Sequence, residues 1–69
     1  MNKPIIKIKQ TNLHTVLRFK NGVGFAIVDN TIIEEMGIVA SLKEQADSAK
    51  AINCHRHAKF CNELALALS

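Results

Sequence analysis

The chain has 69 residues, of which 48% are hydrophobic and 22% are charged, and its formal net charge is +3 at pH 7. This length predicts a single domain, residues 1–69, and the composition excludes a disordered chain. No apolar run approaches the roughly 20 residues of a membrane-spanning helix. The N-terminus alternates Ile with Lys and lacks the apolar segment of a signal peptide, so we expect a cytoplasmic protein whose two cysteines are thiols.

Three strands are predicted in the first part of the chain, near residues 5–10, 15–20 and 23–28. The segment PIIKIKQ alternates Ile with Lys, which is typical of a half-buried strand. Asn21-Gly22 separates the next two strands and is the preferred pair for a two-residue hairpin turn, because both residues must take positive φ. That turn predicts an antiparallel register in which Lys20 faces Val23 and Leu17 faces Ala26.

The hairpin has two predicted faces of different character. The first face is apolar and predicts the core: Leu17, Phe19, Ala26 and Val28. The second face mixes apolar and basic residues: Val16, Arg18, Lys20, Val23, Phe25 and Ile27. A mixed face of this kind is unusual for a sheet face that is exposed to solvent. We therefore expect either a helix or a partner to cover part of it.

Helices are predicted for the rest of the chain. Thr31-x-x-Glu34 is a capping box and Gly37 a helix stop, which predicts a short helix over 32–36. Ser41-x-x-Glu44 is a second capping box, and no Gly or Pro follows Leu42. We therefore predict one amphipathic helix of about 26 residues, roughly 39 Å long, packed across the sheet in an α+β fold. Asn53 to His57 have mediocre helix propensity, which leaves a break there open.

Along a continuous helix the apolar residues form one stripe with a polar layer at Asn53 and His57. A buried polar layer can set the register of paired helices, so we predict a homodimer. Its predicted interface is Asn53, His57, Phe60, Leu64 and Leu68. The alternative is that this layer lies at the edge of the sheet and is partly wet.

The segment CHRHAKFC places two cysteines and two histidines in eight residues. Cys54, His57 and Cys61 share one side of a continuous helix and could bind zinc in part. Cys54 and Cys61 would be about 10.5 Å apart along the axis, which is too far for a disulfide or for one ion. We expect no metal and no cofactor here, and a second chain would have to complete any site.

Enzymatic chemistry is not indicated. The three glycines match no phosphate-binding loop, and Glu34 and Glu35 look like acids favourable to a helix N-terminus. We expect no catalytic residue and no enzyme. Two classes of regulator remain.

The first class binds a larger protein, as an inhibitor, anti-repressor or adaptor. The predicted contact residues carry apolar anchors and basic groups, which suit a protein interface. They are Arg18, Lys20, Val23, Phe25 and Ile27. Very short cytosolic proteins of this kind are common on phages and plasmids.

The second class binds DNA. Five bases and no acid precede Asp29, whereas six acids and four bases follow from there. A two-stranded ribbon from this basic half could enter a major groove about 12 Å wide, and a homodimer would read a two-fold site. The predicted nucleic-acid contacts are Lys7, Lys9, Arg18 and Lys20. The alternative is that these lysines keep an edge strand from pairing.

The segment VGFAIVDNTIIEEMGI resembles the strand-then-helix half of swapped-hairpin transcription factors and antitoxins. Glu34, Glu35, Met36 and Gly37 echo the end of that helix in the family. Asp29-Asn30 stands where the family has proline, and the second hairpin is replaced by a predicted helix. No functional residue is carried over from the resemblance.

Overall fold

A computed structural model describes residues 6–20 and 22–69, apart from the side chain of Lys7. In these residues a sheet is followed by helices that pack on one of its faces, which confirms the predicted α+β class and the antiparallel sheet. The elements are β1 Ile6–Gln10, β2 His14–Phe19, β3 Ala26–Asp29, α1 Asn30–Met36, α2 Ile38–Ala51 and α3 His55–Leu68. In the same residues no helix is both long and apolar enough to cross a membrane.

The sheet has the order β1-β2-β3, with both neighbouring pairs antiparallel. Leu17 lies opposite Ala26, which is the predicted register. The third strand begins only at Ala26, however, and the predicted pairs between residues 18–20 and 23–25 are not part of the ladder. Gly24 has a φ of 92°, which interrupts an extended chain there. The predicted turn conformation at Asn21 falls outside the described residues.

The core lies between the sheet and the α2–α3 pair. Leu17 on β2 is completely buried and belongs to a core formed by residues of the sheet and of both helices. The ring of Phe19 on β2 meets the ring of Phe60 on α3 edge to face, with centroids 5.8 Å apart. The buried apolar residues are Leu17, Ala26, Val28, Leu42, Ala46, Ala49, Ala58, Cys61, Leu64 and Ala65.

The N-terminus of α1 is capped by Asp29, so the prediction of Thr31 as the cap is wrong. The Asp29 carboxylate accepts hydrogen bonds from the Thr31 main-chain N–H at 2.9 Å and from Thr31 Oγ1 at 2.7 Å. The reason is that Asp29 ends β3 in an extended conformation, which is the backbone geometry of an N-cap.

The start of α2 also differs from the prediction. Gly37 takes a φ of 85° and redirects the chain, so α2 starts at Ile38 and not after Ser41. Ser41 lies within the helix, where its Oγ donates to the Gly37 main-chain oxygen at 2.6 Å. The second capping box therefore does not cap this helix.

The prediction of one continuous C-terminal helix is wrong, because the chain turns at residues 52–54. Asn53 has a left-handed φ of 64°. Its N–H donates to the Lys50 oxygen at 3.1 Å, and the Cys54 N–H donates to the Ala49 oxygen at 2.8 Å. This pair of bonds is the Schellman arrangement that ends helices, and asparagine tolerates its left-handed position. The turn lets both helices bury their apolar sides on the same small sheet.

Candidate functional site

The outer patch, defined as Arg18, Lys20, Val23, Phe25 and Ile27, is the predicted partner-binding surface. Arg18 lies on β2 and Ile27 on β3, whereas the other three residues lie in the loop that joins these strands. All five are exposed. The exposed fraction is 98% for Val23, 56% for Phe25 and 45% for Ile27.

Strand alternation explains why Ile27 is left uncovered. Its neighbours Ala26 and Val28 point into the core and are buried, so Ile27 points to the opposite face of the sheet. The helices pack on the core face and leave this outer face open. Of the two occupants expected from the sequence, a helix does not cover Ile27 within the described part of the chain.

Basic residues extend the outer patch towards β1. Lys9 lies opposite Val16, and Lys7 lies opposite Arg18. Ile8, Lys9, Val16 and Arg18 line a shallow depression of about 320 Å³. Three members of the predicted nucleic-acid set, Lys9, Arg18 and Lys20, are exposed, whereas the side chain of Lys7 falls outside the described structure.

An acid stands at the other end of the sheet. Asp29 lies opposite His14 in the ladder between β2 and β3. The hydrogen bond from the Thr31 side chain, followed by that from the Thr31 N–H, lowers the pKa of Asp29 below its ordinary value of 3.8. The positive charge of His14 is a smaller cause in the same direction. Arg18 therefore lies towards the opposite end of the sheet from this carboxylate, whereas Lys9, opposite Val16, lies closer to it.

The candidate zinc ligands lie at the start of α3 and within it, and they differ in exposure. Cys54 is exposed at the start of α3, whereas Cys61 is buried, and both are free thiols. The expectation that one helix carries both cysteines on the same face is wrong, because Cys54 is the N-cap residue just outside α3 whereas Cys61 lies within the helix. No group of three or more His, Cys, Asp or Glu residues that could hold a metal occurs among the described residues.

Cys61 instead joins a partly buried hydrogen-bond chain. Its Sγ donates to Gln45 Oε1 at 3.2 Å and lies 3.5 Å from His57 Nε2. Gln45 Nε2 in turn donates to the Ile27 main-chain oxygen at 2.8 Å. Burial raises the pKa of the Cys61 thiol. The arrangement links α3, α2 and β3, and burial favours the neutral form of the Cys61 thiol.

The predicted dimer interface is not continuous through Asn53, and its apolar residues on α3 pack on the core of their own chain. Asn53 lies in the turn, and Leu64 is completely buried in the core of its own chain. His57 and Leu68 are half-buried on α3, and Phe60 packs on Phe19. The continuous seam on which that interface was predicted is therefore absent, and self-association stays a prediction.

Two features of the surface were missed by the sequence reading. Ile8 was assigned to the half-buried side of β1 yet is 58% exposed. Gln45 was given no role, yet it joins Ile27 to Cys61. The alternation in β1 could not reveal how far the helices extend over the sheet, and a lone glutamine on a helix carries no distinguishing signal.

Comparison with known proteins adds no assignment. No protein family matches this chain, no curated protein matches it, and no solved structure matches its fold. The resemblance of residues 23–38 to swapped-hairpin regulators therefore gains no support, and function has to be argued from the chain's own residues.

Proposed function

We propose that this chain is a small non-enzymatic regulatory protein that acts in the cytoplasm by binding a larger protein through the outer patch. Inhibitor, anti-repressor and adaptor roles all fit this mode of action. The partner surface is expected to be partly apolar and acidic, because it must match apolar side chains ringed by basic ones.

The exposure of Phe25 and Ile27 carries the proposal. Phenylalanine and isoleucine lose favourable burial energy when they stay in water, at about 25 cal/mol per Å² of apolar surface. A partner that covered both would recover this energy at the centre of a contact. Arg18 and Lys20, which are exposed nearby, suit the polar rim of such an interface.

The burial of Cys61 supports the non-enzymatic part of the proposal. A cysteine acts as a nucleophile in its thiolate form, and burial raises the pKa of this thiol. Its side chain is fully buried, so a substrate has no access to it in the folded chain. The contact between Cys61 and His57 is therefore better explained as packing than as a catalytic pair.

Site-specific photo-crosslinking tests the proposal. A photo-reactive phenylalanine analogue at Phe25 should crosslink to one major protein in the native host, whereas the same analogue at Glu35, exposed on α1, should not. The captured partner is then purified, and its affinity and activity are measured with the full chain. Phe25→Ser and Arg18→Glu should each weaken binding about tenfold or more, while Leu66→Ser, an exposed apolar position on α3, should leave it unchanged. Equal crosslinking from both positions would remove the outer patch as the contact.

DNA binding is the second candidate, favoured by the exposure of Lys9, Arg18 and Lys20 on one side of the molecule. Binding to random duplex DNA should then weaken steeply between about 50 mM and 200 mM salt, because each phosphate contact releases counterions. Replacing Lys7, Lys9, Arg18 and Lys20 with alanine should reduce the salt slope. Absence of binding at low salt would leave the protein-partner proposal alone.

Self-association belongs to the proposal as well. The predicted seam is largely occupied within one chain, so a dimer would have to use another surface. Light scattering at micromolar concentration measures the mass directly, and a monomer at every concentration would remove the dimer and the two-fold reading of DNA.

A further inference from the structure

The two edges of the sheet differ in whether their outward main-chain groups already form hydrogen bonds. Because the strand order is β1-β2-β3, both β1 and β3 are edge strands. An edge strand presents main-chain N–H and C=O groups that can pair with a further strand. Which of these groups are already used can be read from the hydrogen bonds that continue each ladder.

The β3 edge is occupied at its centre. The Asn30 N–H donates to the Leu13 oxygen at 3.0 Å and extends the ladder between β2 and β3. Hydrogen-bonded pairs alternate in an antiparallel ladder, so Val28 and Ala26 bond to β2, and the main-chain groups of Ile27 point outward. The Ile27 oxygen accepts a hydrogen bond from Gln45 Nε2 at 2.8 Å. A side chain of α2 therefore takes the acceptor that an added strand would need.

Among the described residues the β1 edge is open at Ile8. The Thr11 N–H donates to the His14 oxygen at 2.8 Å, which makes Thr11 and His14 a hydrogen-bonded pair at the end of the ladder. By the same alternation Lys9 bonds to β2, whereas the main-chain groups of Ile8 and Gln10 point outward. None of the described residues forms a hydrogen bond with these outward groups of Ile8.

The side chains of β1 differ on its two faces. Ile8 lies opposite Leu17 and so shares the core face, yet Ile8 is 58% exposed while Leu17 is fully buried. The reason is that α2 contacts β3 and α3 contacts β2, so the helices leave Ile8 at the margin of the sheet. On the outer face Lys9 is exposed. The strand thus offers an uncovered apolar side chain on one face and a cation on the other.

We propose that the β1 edge accepts an extended segment of a partner protein as a fourth strand, and that this segment alternates acidic with apolar residues. The inference rests on the proposed function and adds, at the β1 edge, a second contact with the partner that the outer patch binds. The main chain of the segment would pair with Ile8 and Gln10, an acidic side chain would lie beside Lys9, and an apolar one would cover Ile8. An antiparallel second copy of β1 fits poorly, because that pairing places the lysines of one strand beside those of the other.

The experiment uses the full 69-residue chain, which is short enough for chemical synthesis. The probe is a labelled peptide of alternating Glu and Val, compared with one of alternating Lys and Val. Affinity is measured by fluorescence anisotropy, and hydrogen exchange of the Ile8 amide by NMR. We expect the Glu peptide to bind, the Lys peptide to bind at least tenfold more weakly, and the Ile8 amide to exchange at least tenfold more slowly with the Glu peptide present.

Two variants separate strand addition from a general charge effect. N-methylation of Ile8 removes the outward N–H while keeping the side chain and the ladder to β2, and it should weaken peptide binding about tenfold. Lys9→Glu should reverse the preference between the two peptides, and it serves as the second test if the methylated chain does not fold. Ile8→Ala keeps the main-chain N–H at position 8. The peptide should therefore still protect that amide from hydrogen exchange in this variant.

Three results would overturn the inference. They are normal peptide binding by the methylated chain, an unprotected Ile8 amide in the complex, or protection that rises with protein concentration when no peptide is present. The last would assign the edge to a second copy. The proposed function would survive each of them if Phe25→Ser still weakened binding of the crosslinked partner, and it would fail separately if that variant had no effect.

Discussion

The side-chain amide of Gln45 on α2 donates a hydrogen bond to the main-chain oxygen of Ile27 on β3 at 2.8 Å. The same side chain accepts from the buried thiol of Cys61 at 3.2 Å. One residue therefore fixes α2 against the sheet edge and satisfies a polar group inside the core.

Replacing Gln45 tests this linkage. Gln45→Met keeps the approximate volume and removes both hydrogen bonds, so the free energy of unfolding should fall by about 1–2 kcal/mol in urea denaturation. Lys43→Met, at an exposed position on the same helix, is the matched control and should change it by less than about 0.5 kcal/mol. Equal effects of the two substitutions would show that the amide of Gln45 does not stabilise the fold.

The left-handed turn at Asn53 gives a second prediction. Asn53→Ala should lower the free energy of unfolding by about 1 kcal/mol, because a Cβ-bearing residue without a local polar side chain is strained at a φ of 64°. Asn53→Gly should leave stability the same or slightly higher, since glycine has no such strain. Ala51→Gly, two residues earlier at the end of α2, should be destabilising instead. Thermal unfolding of the three variants checks this order, and a destabilising Asn53→Gly would argue against the turn.

The Asp29 cap predicts a specific dependence of stability on pH. Hydrogen bonds from Thr31 lower the pKa of Asp29 below 3.8, so the ionised carboxylate stabilises the folded chain above that pH. The contribution is lost as the pH falls through the lowered pKa. Asp29→Asn keeps a capping oxygen but does not titrate at these pH values.

The stability of the natural chain and of Asp29→Asn is therefore compared by urea denaturation from about pH 5 to about pH 2. The advantage of the natural chain should shrink as the solution becomes more acid. Other carboxylates titrate equally in both proteins and cancel in the difference. A difference that stays constant over this range would show that Asp29 is not the titrating cap.

The two cysteines should differ in reactivity. Cys54 is exposed, whereas Cys61 is buried and burial raises its pKa, so only Cys54 should react quickly with iodoacetamide at neutral pH. Mass spectrometry should find one modified thiol in the folded protein and two after unfolding in urea. Cys54→Ser isolates the buried thiol and should show no rapid labelling. Rapid labelling of that variant in the folded state would mean that α3 opens readily from the sheet.

Local sequence signals predicted the register of β2 and β3, but neither the length of their pairing towards the turn nor the arrangement of the helices. The register of β2 and β3 was correct at Leu17 and Ala26, because it depends on the alternation of side chains and the length of the connection. The helix after Gly37 was placed wrongly at Ser41, since a capping box is only a local preference and Gly37 had already redirected the chain. Propensity near Asn53 hinted at a break but could not establish one, because a turn is stabilised by the tertiary burial it permits.

The candidate surface was predicted only in part, because side-chain alternation shows which face a residue is on but not what covers that face. Phe25 and Ile27 could be assigned to a mixed face because a two-residue period separates them from the buried positions. The exposure of Ile8 could not be predicted in this way, since it depends on how far α2 and α3 extend over β1.

The turn at residues 52–54, which folds α3 back onto its own sheet, leads to the last prediction. Leu64 is fully buried, whereas Leu66, two residues along the same helix, is 76% exposed. If α3 packs on its own sheet, Leu64→Ala should lower the free energy of unfolding by about 2–5 kcal/mol or unfold so small a chain outright. Leu66→Ala should change it by less than about 0.5 kcal/mol.

Circular dichroism during urea denaturation compares the two variants at several protein concentrations. In the paired-helix arrangement first predicted, Leu64→Ala would instead make stability depend strongly on concentration, because the residue would be buried only between two chains. Loss of stability that is independent of concentration is thus the result expected from a helical pair folded within one chain.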